Sequence, residues 1–156
     1  MRFVAVKKVD KQGGLMLHRV RELLGRQRTM LTNAFRGHLA ELGIIAAQGQ
    51  SGLKDLVTHF HAEQSSLPEL ARVAFRRLIG QIGEVVDEIG KSEKEIVAWC
   101  RTDAASRRRL TIPGVGPITA SMISAAVPDP TLFQSGRQFA AWLGLTPKPR
   151  SRPGRR

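Results

Sequence analysis

From Ala71 to Trp99 the apolar residues recur with a period that specifies a helix. Ala71, Leu78, Val85, Ser92 and Trp99 are spaced by seven, as are Phe75, Ile82, Ile89 and Ile96, and the two series interleave at alternating steps of four and three. Such a seam keeps one stripe of a helix facing a partner helix over four heptads. At 1.5 Å per residue, a helix of about 33 residues would be about 50 Å long. Ser65, Ser66, Leu67, Pro68 and Glu69 mark its start, with Ser66 as the cap and Pro68 in the first turn. The pattern leaves the partner open: an earlier helix folded back against it, or the same helix of a second chain. A stripe of this kind also fits an ordinary helix bundle.

A second periodic stretch runs from about Lys11 to Leu42. Val20, Leu24, Leu31, Phe35, His38 and Leu42 fall near one stripe, with Arg19, Arg26, Arg28 and Arg36 elsewhere. Gly25 and Gly37 weaken it by about 1 kcal/mol each relative to Ala, so a helix of this length must lean on another element. Residues 43–52 read as a loop and Leu53 to about Gln64 as a shorter helix. His59 and His61 in that helix lie about 200° apart around its axis. With no Cys or third ligand near them, they make no metal site. Ahead of all this, residues 2–6, RFVAV, are rich in strand formers. No second strand follows to pair with them, and a lone strand leaves its backbone groups unsatisfied. Residues 1–10 are therefore expected to hold one strand remnant of a larger sheet.

The stretch with the most chemistry is Leu110 to Val127, LTIPGVGPITASMISAAV. It reads as a helix-hairpin-helix. Gly114 and Gly116 give the backbone freedom for a tight turn, and Pro117 suits the first position of a new helix. The first amides of that helix, unpaired and at the positive end of its dipole, suit an anion such as phosphate. Leu110, Ile112, Val115, Ile118, Met122 and Ile123 are placed to pack the two helices and leave the hairpin in solvent. A Gly-Pro turn between two core helices needs no ligand, but the run Arg107, Arg108, Arg109 just upstream tips the reading toward nucleic acid. Beyond Pro128, Asp129 and Pro130, residues Ser135, Gly136, Arg137 and Gln138 open a last helix carrying Phe139, Ala140, Trp142 and Leu143. The tail, TPKPRSRPGRR, is Pro-rich and basic without apolar periodicity, either a solubilising end or a phosphate contact.

Composition adds a partner class. The 156 residues suffice for one ordinary domain or two small ones, and 42% hydrophobic residues suffice for a core. With 5% aromatics and no Tyr, that core must rest on Leu, Ile, Val and Ala. The net charge of +12 implies a polyanionic partner, of which nucleic acid is the commonest. It divides as +6 over residues 1–62, −2 over 63–100 and +8 over 101–156, so the ends are the contact surfaces and the middle is scaffold. The single Cys100 excludes an intramolecular disulfide and offers no metal set, which points to a reducing cytoplasm. No apolar run is long enough to span a membrane, and the N-terminus has no signal-peptide core.

Four motifs in this order, MRFVAVK, LMLHRVRELLGRQRTMLTNAFRGHLAELGI, LTIPGVGPITASMISAAV and FQSGRQFAAWLGLTPKP, resemble the middle and C-terminal parts of transposases of the insertion sequence 110/116/902 family. The resemblance covers the chain to about Pro149. It implies a RuvC-like nuclease fold with four acidic residues binding divalent metal, Mg in the full-length family. A long coiled-coil insertion and a helical C-terminal domain with a nucleophilic serine follow. It also implies cutting and rejoining of DNA by multimers, guided in some members by a structured RNA. The tetrad lies upstream of the FVAVK strand in the family, so this chain is expected to lack it, and Asp10 is no substitute. Two magnesium-type ions would need several converging carboxylates. The family's Ser-Ser-Gly-Gly-like stretch is replaced by Ser151, Arg152, Pro153, Gly154, which makes Ser151 the counterpart of the catalytic serine and suggests a truncation or frameshift. Ser135 is the other serine within a motif, although helix capping explains it.

The expected fold is mainly α: long antiparallel coiled-coil-like helices over 11–101, a helix-hairpin-helix domain over 102–147, and a basic disordered tail over 148–156. The expected function is the nucleic-acid-binding part of an insertion-sequence transposase, truncated and not catalytic alone, holding no cofactor. Its partners would be DNA, a structured guide RNA, and a second copy through the long helices, with no membrane. Contacts are expected from Arg107, Arg108, Arg109, Gly114, Val115, Gly116, Thr119, Arg137, Lys148 and Arg150. The alternative is a non-catalytic coiled-coil assembly or helix-hairpin-helix module.

Overall fold

The computed structural model describes residues 7–45, 50–127 and 129–145, and the backbone alone at 50, 51, 63 and 64. The expected strand over residues 2–6 lies outside the described residues, which are mainly helical and contain no strand. Helix α1 spans Val9–Glu41, starting two residues before the predicted boundary. Its end is a Schellman closure, in which Gly43 takes φ +81 and donates to Ala40 while Ile44 donates to Leu39. Helix α2 spans Gln50–Glu63, and a 3-10 turn over Gln64–Ser66 leads to α3, Glu69–Thr102. Ser66 is not the cap of α3. Pro68 takes that place at φ −56, ψ 144, and Glu69 in the first turn pairs with Arg72. Proline cannot donate to a preceding turn, so the helix starts immediately after it.

Helices α1 and α3 run antiparallel. Gly14 lies against Trp99, Arg21 meets Glu93 at 2.5 Å, and the Phe35 and Phe75 rings stand edge to face at 5.8 Å. The partner of the α3 seam within the chain is therefore α1 folded back. On α3 the seam residues Phe75, Ile82, Ser92 and Ile96 are buried. On α1 the predicted stripe is only half right: Phe35 is buried, but Val20, His38 and Leu42 face solvent. Besides Leu15, which is buried, and Leu31, which packs on the apolar core, a stripe of Lys11, Gly14, His18, Arg21, Gly25, Arg28, Thr32, Phe35 and Leu39 turns inward, all buried or half-buried. Their steps alternate three and four, but most of them are polar or glycine.

The long hairpin is unevenly filled. At one end Phe35, Leu39, Leu56, Phe60, Phe75 and Ile82 form an apolar core, with α2 as its lid. At the other end Trp99 occupies the notch left by Gly14, where an added Cβ would stand 2.5 Å from the ring. Between them, no residue of α1 from Arg19 to Ala34 and none of α3 from Gly83 to Lys91 is buried. No described helix is long and apolar enough to cross a membrane.

Candidate nucleic-acid interface

Past Thr102 the chain bends at Asp103, and α4 (Ala104–Arg109) begins. Asp103 caps it, its Oδ2 accepting from the Ser106 amide at 2.8 Å and the Ser106 hydroxyl at 2.6 Å. The same carboxylate receives Ser124 Oγ at 2.6 Å and, on Oδ1, Lys11 Nζ at 2.6 Å. Lys11 also donates to Ser124 Oγ at 2.5 Å. Burial alone would push the Asp103 carboxyl up, but Lys11 and the Ser106 and Ser124 donors outweigh it and hold the group well below the ordinary carboxylate range. One carboxylate thus ties together α1, the end of α3, α4 and the helix that follows.

That helix, α5, spans Pro117–Ala126 and is joined to α4 by a tight turn. Val115 donates to Ile112 at 3.1 Å across Pro113 and Gly114, and Gly114 takes φ +82. Proline followed by a residue with positive φ is the sequence of a type II turn. The glycine is required at 114 alone, because Gly116 sits at φ −84, ψ 172, extended backbone open to any residue. Gly116 is the N-cap without a side-chain cap, and Pro117 holds the first position. The first helical bond is donated by Ala120 to Gly116, so the Ile118 and Thr119 amides precede the ladder. Gly114, Gly116 and Thr119 are exposed, and Val115 is half-buried.

The packing of this hairpin departs from expectation. Leu110, Ile112 and Met122 are exposed, and the buried face of α5 consists of small residues, Ala120, Ser121, Ser124 and Ala125. Small side chains let α5 sit close to α1 and α3, where polar contacts hold it. Ser121 donates its only hydroxyl proton to the Pro117 carbonyl at 2.7 Å, so His18 Nε2, 3.0 Å away, must be the donor to Ser121 Oγ. Burial, and then the charge of Arg21, lower the His18 pKa and keep the ring neutral.

Of the three consecutive arginines, Arg107 and Arg108 are exposed, whereas Arg109 is half-buried and donates to the Ala105 carbonyl at 2.9 Å. It borders an apolar cavity of about 380 Å³ lined by Ile112, Val115, Ile123, Phe133 and Phe139. A 3-10 turn over Pro130–Leu132 leads to α6, Gly136–Trp142, which carries the exposed Arg137. Ser135 caps α6 by accepting from Gln138, as its place in the sequence suggested.

The family model for the transposase IS116/IS110/IS902 family matches residues 106–152, a stretch that opens at Ser106 and takes in the whole turn. A putative transposase y4pF/y4sB of Sinorhizobium fredii is 44% identical over 99% of this chain and 40% of its own length. A probable family 20 transposase of Pseudomonas aeruginosa is 40% identical over 99% and 46%. The transposase for insertion sequence element IS1328 of Yersinia enterocolitica is 35% identical over the same shares. Over that stretch the chain is similar to the IS116/IS110/IS902 transposase family, and over nearly all of its own length to these transposases. It spans less than half the length of these relatives. No solved structure matches it.

In this chain the fold brings Arg107, Arg108, Gly114, Val115, Gly116 and Thr119 onto two short helices and the turn between them, and places Arg137 on a third. Lys148, Arg150 and Ser151 lie outside the described residues. Sequence reasoning missed the bracing set of Lys11, His18, Asp103, Ser106, Ser121 and Ser124. Asp103 and Ser106 carry the spacing of a helix cap, a signal that would have placed the start of α4. Among the described residues no group of three His, Cys, Asp or Glu could hold a metal ion.

Proposed function

We propose that this chain is the nucleic-acid-gripping part of an insertion-sequence transposase: a helix-hairpin-helix mounted on a long, coiled-coil-like spacer. The observation that carries the reading is the α4–α5 turn, whose Gly116 leaves the amides at the positive end of α5 uncovered, inside the stretch matched by the family. Phosphate oxygens accept hydrogen bonds from such amides. Arg107 and Arg108, with Arg137, Lys148 and Arg150 beyond, add charge contacts that position a backbone without reading its sequence. Val115 buttresses the turn and Thr119 borders the phosphate. Arg109 braces α4 from within. DNA is the expected ligand, and a structured RNA offers the same phosphates. By itself the chain binds and does not cut, and Ser151 serves as nucleophile only in an assembly that supplies metal-binding carboxylates.

The test is fluorescence anisotropy with labelled duplex across a salt series. Affinity should fall steeply with salt, and Arg107→Gln with Arg108→Gln should lower the log–log slope by about 2. Affinity undetectable at about 50 mM salt, or insensitive to salt, would sink the proposal. Incubation with Mg²⁺ and element-end DNA should leave the strands intact; cleavage abolished by Ser151→Ala would overturn the non-catalytic assignment.

A separate observation favours self-association through the long helices. Met16, Val20, Leu23 and Met30 are 61%, 49%, 49% and 64% exposed and follow steps of four, three and seven on the side of α1 turned from α3. Two copies would cover this stripe. Light scattering should find a dimer that Met16→Glu with Leu23→Glu converts to monomer; a monomeric parent chain would refute it.

A further inference from the structure

At the thin waist of the long hairpin a second cleft opens, well away from the α4–α5 turn. Its volume is about 400 Å³, and Arg28, Thr29, Thr32, Asn33 and Arg36 of α1, Lys54 of α2 and Val86 of α3 line it. Three cations and three neutral polar side chains face it, and among the described residues no carboxylate does. Among the described residues Arg28 and Lys54 take part in no ion pair. Arg28 is half-buried, and its guanidinium has no acceptor among the described residues. Arg28 also borders the adjoining cleft, where Glu93 receives Arg21 and Glu22 lies beside Arg26. Lys54 is the fifth residue of α2, just past a first turn that carries no acidic residue, so the positive end of that helix lies near the same field.

We infer that this cleft is a second phosphate site, in which Arg28 and Lys54 hold a backbone phosphate of the nucleic acid engaged by the α4–α5 turn. The inference rests on the proposed nucleic-acid reading and extends it along the spacer. Arg28 lies 17 residues along α1 from Lys11, about 25 Å at 1.5 Å per residue. A duplex held at both sites therefore lies along the hairpin and is not touched at its tip alone. Thr32 and Asn33 supply neutral donors beside the two charges.

The experiment uses the full chain carrying Arg28→Gln with Lys54→Gln, titrated with labelled duplex over a salt series. The control is the charge-matched pair Arg19→Gln with Arg77→Gln, both exposed and outside the cleft. The cleft variant should bind about tenfold more weakly and its log–log slope should fall by 1 to 2, at about 0.9 per lost phosphate contact. Lys54→Gln alone, at an exposed position, should lower the slope by about 1 without changing helix content by circular dichroism. A cleft variant indistinguishable from the control overturns the site. If Arg107→Gln with Arg108→Gln weakens binding and the cleft variant does not, the cleft fails and the turn stands; the reverse outcome fails the turn and supports the cleft. No binding by the parent chain overturns both. Inorganic phosphate that shifts the Arg28 and Lys54 side-chain NMR signals in a protein whose duplex affinity ignores the cleft variant would make it a free-anion site and refute the backbone contact.

Discussion

Replacing Asp103 by Asn tests the polar brace beneath the hairpin. The carboxylate accepts four hydrogen bonds, one on Oδ1 from Lys11 and three on Oδ2 from Ser106 N, Ser106 Oγ and Ser124 Oγ. Asparagine keeps the shape and offers one oxygen. If that oxygen faces Ser106, the NH₂ group meets the Lys11 ammonium, donor against donor. If it faces Lys11, the cap of α4 is lost. A lost cap costs about 1 kcal/mol, and breaking a fully buried ion pair about 3–5. The Lys11 and Asp103 side chains are 21% and 15% exposed, so solvent screens part of the loss, and about 2–3 kcal/mol is expected. Guanidinium unfolding followed by circular dichroism at pH 7 measures it. The pH dependence has a definite sign. The folded carboxyl lies below the unfolded value of about 3.9, so the folded state binds fewer protons. The stabilisation is complete above about pH 5 and shrinks as pH falls below about 4, and the difference between the two proteins should shrink with it. A difference under about 0.5 kcal/mol at pH 7, or one constant down to pH 3, would refute the brace.

Gly114→Ala forces a side chain onto φ +82 and should cost about 1–2 kcal/mol, whereas Gly116→Ala should cost about 0.5 kcal/mol and weaken duplex binding by covering the amides; equal stability losses would contradict the turn geometry. His18 is kept neutral, so the unfolded chain takes up more protons below about pH 6.5 and stability falls as pH drops from 7 to 5; in His18→Gln this part of the slope in melting temperature should vanish. Phe35→Ala opens the apolar end between Phe75 and Leu39 and should cost about 3–5 kcal/mol by chemical unfolding.

What the sequence disclosed depended on whether a residue is buried for being apolar. On α3 the heptad residues Phe75, Ile82 and Ile96 face the partner as read, because their burial is driven by transfer from water. The turn at Gly114 and the cap at Ser135 were also legible, since each answers a local backbone need. On α1 the same method chose Val20 and Leu42, which are exposed, and passed over Lys11, Gly14, His18 and Arg21. Each of those turns inward for a reason that hydropathy does not encode: a carboxylate 92 positions away, an indole that needs a notch, a hydroxyl on α5, and Glu93. A hydrophobic pattern reports a residue's own preference, while these four are placed by partners distant in sequence.

That asymmetry bears on how the hairpin does its proposed work. The aromatic cluster of Phe35, Phe60 and Phe75 closes one end of the long helices by area burial, which is indifferent to small rotations. The other end is closed by directional bonds, from Lys11 to Asp103 and Ser124, and from His18 to Ser121, whose own hydroxyl returns to the first turn of α5. Hydrogen bonds of this geometry weaken steeply when misaligned, so they fix the orientation of α5 and hence the direction in which its uncovered amides point. An apolar contact of equal strength would hold α5 without aiming it. The polar residues in the α1 seam are therefore read as the means by which the spacer orients the turn. Lys11→Met tests this directly: folding free energy should fall by less than duplex affinity, because the methionine can still pack on Trp99 while α5 loses its bearing. A variant that loses stability and keeps full affinity would show that aim does not depend on the brace.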